Sequence, residues 1–550
     1  MHYQELIHQL RQAFPPPVSD PVHDGYVVFS ILRALDQVDA LKSQAPILGE
    51  PTEPDYQLAR NGRLEQNGRT LEAVIPELVS YLQGMFIWGH PRSQINVVPN
   101  PSIASIIGVL LPLIYNPNLC SDESGRRFSE AEVRACAMTS QLVGYDPGVA
   151  RGMFTFGGTG GLLYGVKVGL EKAVPGSIDR GLSEPAVLIC SEQSHYSCLT
   201  VASWLGIGQQ NVISIPTELN NSVDLAALEQ AVRSAIEGGK KIAAIVATMG
   251  STDAFGIDDL RAIVALRDRL CQEFNLSYTP HVHADAVIGW AWSVFNDYDF
   301  LRNPLGFRGR TVRALAAVQH DMAHLKLADS IGVDFHKTGY TPYISSLVLF
   351  RDDADLATIA RKRELMPYLY QSGTHHPGMY TLETSRSATG PMAALANLLL
   401  FGKQGYRALL GHAVEMAEVL REAIESHPNL TVLNGQNSGP VTLFRAYPDE
   451  VDTFLVKPRE RSDPSFRQQL AAYNDYNRRI FERVHTEALA GQGVVISLTN
   501  CYRQSDAGDP IVALKSYVLS PFADESRMQS IIEHVLAARQ AVDRETSAAN

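Results

Sequence analysis

The sequence predicts an α/β protein built on a mostly parallel central sheet with helices on both faces. Two observations carry this expectation. From about residue 96 to residue 400, short β-branched runs alternate with longer helical ones, the pattern of strands joined by crossover helices. A chain of 550 residues that is 45% hydrophobic is also too long for one small core and should form a large domain with smaller flanking pieces.

Taken in order, residues 1–95 read as an N-terminal arm or cap. They mix helical periodicity from Thr70 onward with proline-rich segments such as Phe14-Pro15-Pro16-Pro17. The longest apolar stretch, Ser102 to Tyr115, contains Pro112; it is too short to span a bilayer and predicts a buried helix. Within a large domain over 96–400, strands are expected at Ala186–Cys190, Lys241–Thr248, His281–Val287 and Ser345–Phe350. A helix from Gly390 through Leu400 leads out of it. A smaller α+β domain over 401–550 holds strands at Thr431–Leu433 and Val441–Phe444, and the charged stretch Lys457–Asp463 reads as a loop.

The formal net charge is −12 and no basic stripe stands out, which argues against nucleic acid or an anionic membrane as partner. Cys120, Cys136, Cys190, Cys198, Cys271 and Cys501 are scattered without a CxxC pair, so reduced thiols in a cytosol are expected. The start, Met1 to Glu5, has no basic segment ahead of an apolar one. No secretion signal is visible, and a cytoplasmic enzyme is expected.

The chemistry concentrates at strand ends. Ala328 to Lys337 is an apolar-leaning run that ends in His336-Lys337 and is followed by the turn-prone Thr338-Gly339. A lysine so placed can hold an aldehyde as a Schiff base, which is what pyridoxal 5′-phosphate (PLP) requires. Gly157-Gly158-Thr159-Gly160-Gly161 precedes a helical pattern and can offer backbone donors to a phosphate, although a plain tight turn fits the same residues. It lacks the Lys-Ser/Thr ending of a nucleotide P-loop and does not match GxGxxG. Asp285, in His283-Ala284-Asp285-Ala286, ends an apolar strand and can keep a pyridine nitrogen protonated; a strand-end cap is the alternative. His195 follows a strand at the carboxyl edge of the sheet and can stack on a planar ring, or serve structurally. His281 and His283 could instead suggest a metal pair, but no Cys, Asp or Glu cluster nearby completes a site of familiar ligand spacing, so no metal is expected.

These segments, in this order, resemble the group II PLP-dependent amino acid decarboxylases, a fold-type I family. Gly157-Gly158-Thr159 is similar to the family's phosphate loop, and Ser191 to Ser197 to its SxxxHxS motif. Ala247 to Thr252 is similar to ATxGTT, His283 to Ala286 to HVDA, and Asp329-Ser330 through His336-Lys337 to the DS…HK signature. The resemblance runs from about His90-Pro91 to Arg386. It implies a fold-type I architecture with PLP as cofactor, and a Schiff base on Lys337. It also implies Asp285 at the ring nitrogen, His195 stacked on the ring, Gly158, Thr159 and Gly160 at the phosphate, and Thr252, Ala286 and His336 beside the cofactor. Around Lys337 the chain looks most like bacterial tyrosine decarboxylases, whereas Tyr380 to Ser387 resembles an aspartate- or glutamate-directed branch, so the substrate stays open. Departures include Gly160-Gly161, Val287-Ile288-Gly289-Trp290 after the aspartate, and Phe335 where proline or alanine is usual.

In this family a tyrosine on a mobile loop after the lysine delivers a proton to Cα, which makes Tyr368 and Tyr370 candidates, with Gly373 as hinge. The resemblance further implies a homodimer with sites at the subunit interface, and substrate contacts from Pro99, Asn100 and Arg386; an ordinary salt bridge suits Arg386 equally. The expected activity is release of CO2 from an L-amino acid to give the amine. An aldehyde synthase or carbon–carbon lyase on the same scaffold is the alternative, and a non-catalytic binding protein a more distant one.

Overall fold

The computed structural model describes residues 3–366 and 369–549. Among these residues, strands build two sheets. β1 (Ser93–Gln94) belongs to the smaller. The larger takes β2 (Arg151–Thr155), β3 (Ala186–Ser191), β4 (Val212–Ile215), β5 (Lys241–Thr248), β6 (His281–Asp285), β7 (Ser330–Asp334) and β8 (Ser346–Phe350). β9 (Leu430–Val432), β10 (Val441–Ala446), β11 (Val495–Gln504) and β12 (Pro510–Tyr517) complete the smaller.

The larger sheet has the order β2-β8-β7-β6-β5-β3-β4. Every neighbouring pair is parallel except those made by β8, which runs against both β2 and β7. Its central strands are buried along their whole length, as expected where helices cover both faces. The carboxyl ends of β2, β3, β5, β6 and β7 therefore share one edge, and register fixes what meets there. Thr248 lies opposite Asp285, and Asp334 opposite Ser346. The α/β expectation holds, and the four strands proposed for this sheet form within a residue or two of their expected bounds.

Helix Thr389–Glu425 leads from this sheet toward the second, broken at Gly402 where φ is +52°. The smaller sheet, β1-β11-β12-β10-β9, is antiparallel apart from the β1–β11 pair. It packs against helices Arg467–Leu489 and Glu525–Ala549 around a separate apolar core.

Two local expectations fail. Lys457–Asp463 is not a loop: it lies largely within helix Thr453–Ser462, capped by the Asp452 carboxylate, which accepts the amides of Phe454 and Leu455. Val456 and Glu460, one turn apart, face inward, where Glu460 pairs with the buried Arg445 at 3.0 Å. The charge is thus used inside the fold. Ile103–Tyr115 is helical as expected but not buried, with Ile103 78% and Leu113 59% exposed. Only one side of it, at Ser105, Gly108 and Pro112, is covered in the single chain.

Candidate active site

Four loops leave the carboxyl edge of the larger sheet, after β3, β5, β6 and β7, and with Cys501 of β11 enclose a cavity of about 350 Å³. Among the residues on its wall are His195, Thr252, Asp285, Val287 and Lys337. Sequence-predicted residues from four segments thus meet in one place.

Lys337 is reached from β7 by a tight turn. Its amide donates to Asp334 O at 3.3 Å, and the Thr338 hydroxyl donates to Ile288 O at 2.8 Å. Its Nζ lies 2.9 Å from Asp334 Oδ2. Burial favours the neutral amine, but Asp334, with Asp285 and Tyr343 farther off, outweighs it and holds the pKa above the usual lysine value. Asp334 is itself fully buried and accepts a hydrogen bond from Ser346 Oγ at 2.5 Å.

The Asp285 carboxyl is pushed up to about 6 by burial, with Lys337 pulling the other way. His195 is half-buried, and its Nδ1 accepts the Ser197 amide at 3.2 Å, which leaves Nε2 to carry the proton. Burial, then the Lys337 charge, push its pKa down, so the ring is neutral at pH 7. Ser194 on the same loop hydrogen-bonds to Thr248 across the edge at 2.8 Å. The smaller sheet contributes Cys501, and Asp253 on the wall is tied to it by Lys515 and Thr499 at 2.7 and 2.9 Å.

Helix Gly158–Ala173 begins beside the lysine turn. Gly157 before it has φ +122°, a conformation suited to glycine, and a Cβ on Gly158 would lie 2.9 Å from Asp334 Oδ2. The Gly158 and Thr159 amides donate to no protein group among the described residues, so the first turn keeps two donors for an anion. Gly160 lies against Thr155, whose hydroxyl would meet a Cβ there at 2.2 Å. His336 is buried, with its ring 4.1 Å from that of Tyr343 and its Nε2 3.5 Å from Asp334. Ala286 is fully buried behind Asp285.

Other expectations are corrected. Arg386 is buried in an ion pair with Glu132, with both guanidinium nitrogens engaged, and also donates to Leu119 O and Phe154 O at 2.8 Å. Both terminal nitrogens are thereby committed to protein acceptors, and only the buried Nε is without a partner among the described residues. Asn100 accepts the Gly89 amide at 2.8 Å, and neither it nor the buried Pro99 lines the cavity. Tyr370 is fully buried away from Lys337, its ring 5.1 Å from that of His376 and its amide donating to Glu123 at 2.9 Å. Tyr368 lies outside the described residues. His281 and His283 share the Ser330 hydroxyl at 2.7 and 2.8 Å.

Asp334 and Asp253 were missed by sequence reasoning. The signal for Asp334 was present, since it is an acid closing an apolar strand, as Asp285 is, three residues before the lysine.

The residues present fit PLP: a cavity-facing lysine, a buried acid opposite it, and a helix start with free amides. Fold and site together define a fold-type I PLP enzyme. Residues 54–295 match the pyridoxal-dependent decarboxylase conserved domain. An L-2,4-diaminobutyrate decarboxylase of Acinetobacter baumannii is 26% identical over 377 residues, 66% of this chain and 68% of that protein. An aspartate 1-decarboxylase of Aliivibrio fischeri is 25% identical over 63% of this chain and 56% of its own length. An L-tyrosine decarboxylase of Enterococcus faecalis is 28% identical over 41% and 38%. Among solved structures, the glutamate decarboxylase domain from Vibrio parahaemolyticus superposes with a TM-score of 0.73 over 98% of this chain and all of that one, at 18% identity. The Oryza sativa TDC with PLP and tryptamine gives 0.77 over 95% and 99%, at 17% identity. The fold is therefore shared along nearly the whole chain, and residues 54–295 carry the conserved domain of the pyridoxal-dependent decarboxylases.

Proposed function

We propose that this protein is an L-amino acid α-decarboxylase that binds PLP covalently through Lys337 and releases CO2 and the corresponding amine. The observation that carries this is the convergence of Lys337, Asp285 and His195 on one cavity at the carboxyl edge of the sheet. Bound there, PLP supplies an electron-poor ring that accepts the electron pair of the bond broken at Cα. Asp285 holds a proton on the ring nitrogen, and ionises readily once that cation faces it. His195, neutral and fixed by Ser197, covers the ring face. Gly158 and Thr159 would hold the phosphate through the two free amides of the first helical turn, with Gly160, whose amide donates to Gly157 O at 2.8 Å, packed beside them. Thr252 and Val287 shape the wall beside it, and His336 fixes the turn through Asp334 and Tyr343.

The named relatives act on diaminobutyrate, aspartate and tyrosine, so they do not single out a substrate. A homodimer is supported by the exposed apolar faces of Pro21–Asp39 and Ile103–Tyr115, where Val22, Phe29, Leu35, Ile103 and Leu113 are all more than half exposed.

The test is an absorbance spectrum of the purified protein before and after borohydride, followed by peptide mapping. The expected result is a band at roughly 410–430 nm that disappears on reduction, with label at Lys337. L-amino acids are then screened for CO2 and for peroxide; peroxide formed with each turnover would point instead to an aldehyde synthase. A colourless protein that takes up no added PLP defeats the proposal.

A further inference from the structure

We propose that Asp334 is a positioning residue that couples docking of the cofactor's phosphate to release of the Lys337 amine, by surrendering its ion pair with Lys337 and taking up that proton. The proposal rests on the PLP role of this site.

The geometry centres on one oxygen. Asp334 Oδ2 is 2.9 Å from Lys337 Nζ and 3.5 Å from His336 Nε2. The same oxygen lies 2.9 Å from where a Cβ would stand on Gly158, so it rests against the first turn of Gly158–Ala173, whose free amides can receive an anion. Oδ1 is held by Ser346 Oγ, the residue directly across the β7–β8 pair. The carboxylate therefore touches both the reactive lysine and the anion cradle.

The surroundings leave few places for a proton to go. The titratable groups facing this pair are Asp285, His195, His336 and Tyr343. Burial disfavours the charged form of both imidazoles, so Lys337 is the cation of the group. A lysine must be neutral to attack an aldehyde, yet one paired with a buried carboxylate stays an ammonium.

A phosphate on the first turn reverses this. Charged Asp334 would then face a like charge in a dry place, which raises its affinity for a proton. Protonated, it can instead donate its O–H to a phosphate oxygen. The nearest proton is on Lys337: one N–H bond breaks, one O–H bond forms, and no electrons change hands. Both carboxylate oxygens of Asp334, and no atom of Lys337, are among the three atoms nearest a Cβ on Gly158, so Asp334 feels a charge on that turn at closer range than the amine does.

The coupling is tested on the cofactor-free protein by splitting the ligand into pyridoxal, which lacks the phosphate, and inorganic phosphate. Capture of pyridoxal at Lys337 is followed by absorbance, with borohydride trapping and peptide mapping. In the wild type, saturating phosphate should speed capture about tenfold at pH 7 and lower the pH midpoint of capture by about one unit. In Asp334→Asn the phosphate effect should fall below about twofold. Ser346→Ala, which frees Oδ1 but keeps the acid, should reduce it by about threefold and provides a second reading should Asp334→Asn not fold. A wild type indifferent to phosphate overturns the coupling, as do variants that retain the full effect. A wild type that captures neither pyridoxal nor PLP fails at the earlier step and removes the cofactor reading itself.

Discussion

Replacing Arg386 with methionine separates a structural role from a substrate-binding one. The guanidinium and the Glu132 carboxylate are both nearly inaccessible, at 3% and 1% side-chain exposure. Removing the cation leaves a buried carboxylate with no counter-charge, which costs about 3–5 kcal/mol. With an unfolding entropy of about 2.1 cal/mol/K per residue over 550 residues, the thermal midpoint should fall by about 3–4 °C. Adding Glu132→Gln removes the stranded charge and should recover part of that loss. The assay is thermal unfolding of wild type, Arg386→Met, Glu132→Gln and the double variant, alongside steady-state kinetics. A single variant with an unchanged midpoint and a KM raised tenfold would refute the structural assignment and return Arg386 to the substrate.

Other outcomes follow from the same geometry. Lys337→Ala should abolish the borohydride-stable label and, by stranding the buried Asp334 carboxylate, lower the thermal midpoint by a few degrees, which peptide mapping and a melting curve check together. Asp285→Asn should still bind PLP but release CO2 slower by on the order of 10²–10³, the usual cost of losing one preorganised electrostatic partner. In the cofactor-free protein Asp285 titrates near 6, above its unfolded value of about 3.9. A raised carboxyl contributes stability that is complete below about pH 4 and is lost as pH rises through 6, up to about 3 kcal/mol here. The midpoint-against-pH curve of Asp285→Asn should lack that fall. Leu113→Glu with Ile103→Glu should shift the protein to a smaller species in sedimentation, whereas unchanged sedimentation would remove this face as an interface.

Much of this was legible because the local signals agreed with the global fold. Lys241–Thr248 is apolar and β-branched and sits in the middle of the sheet, so its strand has the expected bounds. The misreadings share a different cause. Arg386 looks the same in a sequence whether paired or free, and its partner Glu132 lies 254 residues away. Glu460 made its segment look solvated because Arg445, which it meets in the interior, belongs to strand β10 and not to its own helix. The apolar helix Ile103–Tyr115 was expected inside, since hydrophobicity says that a face must be covered but not by which chain.

The departures from the family pattern around the aspartate and lysine are explained by one another. Phe335 and Trp290 are both fully buried, with ring centroids 4.5 Å apart, and Phe154 stacks on the far side of Phe335 at 5.9 Å. The Trp290 indole also donates to Asp334 O at 3.2 Å. Neither ring lines the cavity, and of the residues that depart from the pattern only Val287 does. The two aromatics occupy the space behind the turn that presents Asp334 and Lys337, and a large residue at one position requires an accommodating one at the other. Rigid support from behind restricts the freedom of the turn, which is what a lysine poised 2.9 Å from its carboxylate needs if a phosphate on the adjoining helix is to act on it. Val287 belongs to the same support, since its carbonyl accepts the Asp334 amide at 3.3 Å, whereas Asp253 and Cys501 line the cavity where the smaller sheet meets it.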